Sequence, residues 1–226
     1  MNKIDQFYLI SIERSACFRK NNINRLKLFI KHNFNKDLIV IGVDSNHIYG
    51  NPDRISEYQK KGIFINGKNW CKCGGGKFRP FKQGEIGCYL SHYEVWSHMV
   101  KKNVQNAMIF EDDSLIEPNT FIQDINDIMN NLPDSKYYIS LYHSPQRIHL
   151  KHAKNVNPYI KKINFDLWGT VSYIVNLDVA KDFIKALTPL KYPVDQAIAG
   201  FCVENSCLYL ADKPLVKLCD NNSIIR

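Results

Sequence analysis

Short apolar runs alternate along this chain with segments whose apolar residues return every three or four positions. Residues 7–12, 38–43, 107–110, 137–142, 170–175 and 207–211 are apolar runs of strand length. Between them, Ile23, Leu26, Ile30 and Phe34 mark a helix over 21–33, and Ile86, Leu90, Tyr93, Ser97 and Val100 share one face of a helix over 85–100. Asn119 reads as the cap of a helix striped by Phe121, Ile125, Ile128 and Leu132, which Pro133 stops. Leu177, Ala180, Ile184 and Leu187 mark another over 176–187, and Pro193-Val194-Asp195 opens a last short one. This order predicts an α/β class with a mostly parallel central sheet flanked by helices. The run 38–43 reads as a strand buried on both faces. With 226 residues, no internal repeat and no linker, the chain reads as one domain over 1–226.

Two stretches break the alternation. Residues 66–84 hold Lys68, Lys72, Lys77, Arg79 and Lys82, no acid, and the glycines Gly67, Gly74–Gly76 and Gly84. Residues 143–162 hold Arg147, Lys151, Lys154, Lys161 and Lys162 with His143, His149 and His152, again without an acid. Both are expected to be basic loops that close over a ligand rather than packed elements. Lys and Arg outnumber Asp and Glu by 30 to 22, a net charge of +8, which suits an anionic partner. A content of 45% hydrophobic and 23% charged residues excludes global disorder. No apolar run approaches the roughly 18 residues of a membrane span, and the N-terminus lacks the layout of a signal peptide. Seven cysteines, an odd number, read as reduced thiols. The expected location is therefore cytoplasmic, with at most peripheral association with a membrane.

Ligands of such sheets bind beyond the carboxyl ends of the strands, where Asp44, Glu111–Asp113 and the residues after Tyr142 fall. Glu111-Asp112-Asp113 directly follows a buried strand. Like charges so close are costly unless neutralised. If the chain stays extended, Glu111 and Asp113 project to one side, and two such carboxylates suit Mg²⁺ or Mn²⁺. A solvated acidic turn is the plainer reading. Further upstream, Gly84-Glu85-Ile86-Gly87-Cys88 leads into Ser91, His92 and Trp96. His92 sits on a stripe beside the apolar face, which favours a polar task over a packing one.

These segments resemble glycosyltransferase family 25, the lipooligosaccharide and collagen-type galactosyltransferases. The matching words are Gly84–Cys88 with Ser91-His92 and Trp96, Ile109-Phe110-Glu111-Asp112-Asp113, Gly169-Thr170 with Ser172-Tyr173, Ala180, and Pro193-Val194-Asp195. Ser11–Ser15 with Arg19 looks like a degraded form of the family's start, with Ser11 and Glu13 where Asn and Asp are usual. The resemblance implies a GT-A-type nucleotide-diphospho-sugar transferase fold with a Rossmann-like sheet. It also implies inverting transfer of a hexose, galactose or glucose, from a UDP-sugar to a glycan or collagen-like protein acceptor. By the same resemblance Glu111 and Asp113 hold Mn²⁺ (or Mg²⁺) on the donor diphosphate. Donor-binding residues are then Arg14, Asp44, Ser91, His92, Glu111 and Asp112. Inversion needs a base near the acceptor hydroxyl; Asp195 is the first candidate and Glu85 the next, although an Asp at a helix start is often only a cap.

Other constellations are weaker. Cys71, Cys73 and Cys88 lack the spacing of a zinc site. The three histidines of 143–152 read as part of a basic loop. There is no P-loop word and no nucleic-acid motif. A non-catalytic nucleotide- or glycan-binding relative is the alternative, and a metal-dependent phosphoesterase ranks below it because only one acidic cluster is present.

Overall fold

The structure, a computed structural model, describes residues 3–12, 17–63, 70–72, 78–117, 119–133, 136–143, 152–165 and 167–219. The chain opens with β1 (Gln6–Ile10), α1 (Cys17–Phe34) and β2 (Leu38–Ile41), followed by two short helices, α2 (Ser45–Tyr49) and α3 (Pro52–Lys60). A small hairpin, β3 (Trp70–Lys72) and β4 (Phe78–Pro80), leads into the long helix α4 (Gln83–Lys102). Next come β5 (Asn106–Glu111), β6 (Ser114–Ile116), α5 (Phe121–Asn130) and β7 (Tyr138–Ser140). The last part holds β8 (Lys154–Asn155), β9 (Ile160–Lys162), β10 (Ser172–Asn176), α6 (Leu177–Ala186), α7 (Val194–Glu204), β11 (Leu208–Ala211) and β12 (Val216–Leu218).

Eight strands form one sheet in the order β2-β1-β5-β10-β7-β11-β9-β8. Only β10 and β9 run against the rest, so the sheet is mostly parallel, as the alternation predicted. Side-chain alternation sorts its residues onto two apolar layers. Tyr8, Ala107, Ile109, Tyr173 and Val175 pack with Leu90, Trp96 and Phe183 of α4 and α6. Phe7, Leu9, Met108, Phe110 and Ile174 pack on the other side with Ile30 of α1 and Phe121 and Ile125 of α5. Both faces of β1, β5 and β10 are thus covered, the usual condition of a parallel α/β sheet.

Several sequence expectations need correction. β2 is an edge strand rather than one buried on both faces: it ends the sheet, and Val40 is exposed. Its uninterrupted apolar run cannot distinguish an edge from a centre, because that depends on which strand lies beside it. The two basic stretches are not wholly loops, since they contain the β3–β4 and β8–β9 hairpins. Residues 64–69, 73–77 and 144–151 lie outside the described part. α2 and α3 have no apolar period to announce them. They start instead at Asp44 and Asn51, whose side chains accept the N–H groups of Asn46 and of Asp53 and Arg54. The N-cap of α5 is Thr120, one residue after the expected Asn119. Among the described residues, no helix is long and apolar enough to cross a membrane.

The carboxyl ends of β2, β1 and β5 lie side by side, with Ile10 paired to Ile41 on one flank and Glu111 on the other. The turn after β2 passes so close to the turn after β1 that a Cβ on Gly42 would stand 1.7 Å from the Ser11 carbonyl oxygen. Glycine is therefore required there by contact with backbone, which cannot swing aside. Gly42→Ala is expected to cost at least the roughly 1–3 kcal/mol of an overpacked site, read as a lower midpoint in urea denaturation.

Candidate functional site

The acidic triplet is the centre of the site, but the chain does not stay extended through it. β5 ends at Glu111, and Asp112 and Asp113 form the tight connection to β6. Both aspartates are buried. Arg19, itself buried in the first turns of α1, makes this possible. Its guanidinium grips Asp112 Oδ1 with one nitrogen and lies 3.4 Å from Asp113 Oδ2 with another. Ser11 Oγ donates to Asp112 Oδ2 at 2.8 Å. Asn22, one helical turn beyond Arg19, donates to the carbonyls of Asp112 and Ser114 at 3.0 and 2.8 Å. Asp113 Oδ1 is buried with no hydrogen-bond partner among the described residues. Burial and the neighbouring Glu111 charge push the Asp113 carboxyl up to about 7, against the pull of Arg19.

Glu111 is held from behind. Its Oε1 accepts from Thr170 Oγ1 and lies 3.3 Å from His92 Nε2. His92 Nδ1 is 2.8 Å from the Tyr173 hydroxyl, to which Trp96 Nε1 donates at 3.2 Å. With Tyr173 donating to Nδ1, Nε2 carries the proton and donates to Glu111, so one buried chain of hydrogen bonds runs from Trp96 to the carboxylate. Burial opposes ionisation of Glu111, but His92, Thr170 and Arg19 together hold its carboxyl below the ordinary value. Cys88, one helical turn before His92, faces the same group, and burial followed by the charges of Glu111, Asp195 and Asp113 pushes its thiol well up. Asp195 accepts from Gly169 N at 3.2 Å and Gln196 N at 2.8 Å. Its carboxyl is pushed up by burial, partly offset by these two amides, with Glu111 adding to the rise.

In front of the triplet lies a cleft of about 550 Å³ lined by Ser11, Arg19, Asp44, Cys88, Ser91, Glu111 and Asp112 among others. Ser91 serves its shape: Oγ donates to the Gly87 carbonyl at 2.7 Å and accepts from Val43 N at 2.9 Å, tying α4 to the turn that carries Asp44. Gly87 allows that contact, since a Cβ there would meet the Val43 oxygen at 2.9 Å.

Of the residues named from sequence, Asp44, Ser91, Glu111 and Asp112 line the cleft. His92 does not reach it, being fully buried behind Glu111. Asp113 and Asp195 adjoin Glu111 electrostatically. Glu85 has another task. Its two oxygens take the Arg79 fork at 2.8 and 2.5 Å, and one also accepts Lys82 N at 2.8 Å, closing the start of α4. Arg79, with the Lys82 amide, holds the Glu85 carboxyl below its ordinary value despite its burial, the wrong direction for a base. Arg14 lies outside the described residues. Sequence reasoning gave Arg19, Asn22 and Thr170 no role. The signal for the first two was present: Arg19, Asn22, Leu26 and Ile30 share one stripe of α1, apolar at one end and polar at the other.

The model of glycosyltransferase family 25 (LPS biosynthesis protein) matches residues 4–198, a span that contains every element of this site. The chain belongs to that family. Among similar proteins, a glycosyltransferase 25 family member of Anopheles gambiae is 31% identical over 121 residues, covering 52% of this chain and 20% of the relative. Human procollagen galactosyltransferase 2 is 27% identical over 112 residues, covering 48% and 18%. The chain thus spans about one fifth of the length of the curated relatives it matches. A solved glycosyltransferase involved in glycosylation of the major capsid of PBCV-1 overlays 91% of each chain at 7% identity, with a TM-score of 0.41.

Two outcomes follow from this family 25 site. Arg19→Ala leaves the buried Asp112 and Asp113 carboxylates without their cation. A loss of about 3–5 kcal/mol is expected in chemical denaturation, as for other broken buried pairs. For Glu85, the folded pKa lies below the unfolded one, so the pair stabilises above the ordinary carboxylate range and fades as pH falls through the lowered value. Glu85→Gln should lower Tm at neutral pH by about 2–4 °C, the equivalent of a helix cap worth about 1 kcal/mol. That difference should begin to narrow as pH falls below the ordinary value of 4.5 and close only below the lowered folded value, in a pH series of melts.

Proposed function

We propose that this chain is an inverting hexosyltransferase that moves galactose or glucose from a UDP-sugar to a hydroxyl of a glycan or collagen-like protein acceptor. The observation that carries the reading is Asp113 Oδ1, a buried carboxylate oxygen with no hydrogen-bond partner among the described residues, in an acidic turn whose Glu111 and Asp112 line an open cleft. Arg19 is shared with Asp112, and burial and Glu111 still push the Asp113 carboxyl up to about 7, so a further cation would favour its ionised form at neutral pH. The donor set fits the divalent cation that the family resemblance implies: Asp113 and Glu111 would hold Mn²⁺ or Mg²⁺, both hard ions that take oxygen ligands. When bound, such an ion neutralises charge that builds on a diphosphate leaving group.

The chain's own residues supply the rest. Arg19 and Ser11 fix Asp112, so the turn keeps its shape before any ligand arrives. His92 and Thr170 fix Glu111. The cleft volume falls in the range of roughly 300–1,000 Å³ usual for small-molecule sites. Asp44, capping α2 at the far wall, meets the nucleoside part of the donor in this reading, and Arg14 meets its diphosphate. Asp195 takes the acceptor proton. Its raised pKa brings a carboxylate nearer to the neutral range in which a base is effective. Lys82, at the start of α4, lines the cleft and adds positive charge for the anionic donor.

Thermal melts with UDP, Mn²⁺ and both together test the donor site. At about 100 times Kd a ligand adds roughly 2.7 kcal/mol, a rise of about 5–10 °C for a chain of this size. The rise should need both components and vanish in Asp113→Ala. Asp195→Asn should keep the rise and lower sugar transfer by about 10²–10⁴-fold. A rise in the wild type with no transfer to any acceptor would mark a non-catalytic relative, and no rise at all would refute the donor site.

A further inference from the structure

Cys88, His92 and Glu111 form a group in which the acidic-turn reading gives Cys88 no part. One ligand atom from each, a thiol sulfur, an imidazole nitrogen and a carboxylate oxygen, lies within 4.8 Å of the other two. Cys88 and His92 stand four residues apart on α4, so the helix stacks them on one side. Glu111 comes from the carboxyl end of β5, across the layer boundary. This donor set differs in kind from an all-oxygen site. Sulfur and imidazole select borderline ions such as Zn²⁺ over Mg²⁺ or Mn²⁺.

We infer that Cys88 Sγ, His92 Nε2 and Glu111 form a three-ligand site for Zn²⁺, with its fourth position open to the cleft. Ligand atoms of a tetrahedral zinc ion stand about 3.3–3.8 Å apart. His92 Nε2 and Glu111 Oε1 are at 3.3 Å, inside that span. From 4.8 Å, no pair needs to close by more than about 1.5 Å, within reach of side-chain torsion. The outer support of the site is built. Tyr173 hydroxyl meets His92 Nδ1 at 2.8 Å and can accept as well as donate, so Nε2 is free to coordinate once Nδ1 carries the proton. Cys88 and Glu111 both line the cleft, which gives the ion its route in. On binding, the thiol loses its proton to solvent and a sulfur–metal bond forms, with no redox change. Glu111 stands between this site and Asp113, so an ion here and an ion there draw on one carboxylate.

The site requires no glycosyltransferase activity and is tested without it. The 226-residue chain, kept reduced with a non-thiol reductant, is titrated with Co²⁺ and then with Zn²⁺. A thiolate-to-cobalt charge-transfer band in the near ultraviolet with tetrahedral visible bands is expected, both erased by Zn²⁺. Cys88→Ser and Cys88→Ala should each lose the charge-transfer band while keeping the wild-type circular dichroism. Zn²⁺ affinity, by competition with a chromophoric chelator, should fall in both by more than the 10–100-fold that losing an outer-sphere partner costs. Asp113→Ala should keep the band. Absence of the band in the wild type, or its survival in folded Cys88→Ser and Cys88→Ala, would overturn the assignment.

Discussion

Burying Asp112 and Asp113 at the end of a central strand is the demand around which the rest of this protein is arranged. An unpaired carboxylate in such a place costs several kcal/mol. Arg19 meets most of that cost by reaching from α1 across the turn to both side chains. The position of α1 is therefore not only a matter of covering Phe7, Leu9 and Phe110 with Ile30. Its amino-terminal end must deliver a guanidinium and the Asn22 amide to one connection of the chain. Among the described residues, Asp113 Oδ1 is the one oxygen of the two aspartate side chains without a hydrogen-bond partner, which localises the remaining demand of the turn.

A second consequence concerns β10. By entering antiparallel between β5 and β7, it brings Thr170 and Tyr173 alongside β5 from a distant part of the sequence. Thr170 binds Glu111 directly, and Tyr173 links His92 to Trp96. Glu111 is thus oriented by α4 and by the start of β10 at once. Gly169, at a φ of 93° with its N–H on Asp195, ties the start of α7 to the same point. Three segments far apart in sequence converge on one carboxylate, which is how a family 25 member builds a polar centre between two apolar layers.

Much of this was legible in the residues. The apolar runs at 107–110 and 170–175 and the periodic stripe of 85–100 reappear as β5, β10 and α4 because their pattern matches a strand or helix period with no help from neighbours. The short helices α2 and α3 were not legible, since each is too short to show an apolar period: side-chain caps start them, and Ile48, Ile55 and Tyr58 anchor them in the core. The edge position of β2 was not legible either, because a run of apolar residues carries no record of what pairs with it. In the site, Asp44, Glu111 and Asp112 were found from their place after strands. Glu85 was overvalued because Arg79, its partner six residues earlier on β4, lies in a stretch that read as loop.

The sequence by itself determined the α/β class, the placing of the acids at the carboxyl ends of strands, and the family, because these depend on local period and on short words in order. Only the tertiary structure decided which acid is paired, which is held and which is left wanting. Arg19 and Asp112 are 93 residues apart, and Thr170 and Glu111 are 59 apart. No spacing rule reaches across such intervals. Charge at a buried site is governed by whatever the fold brings within a few ångströms, and that is settled only when the layers close.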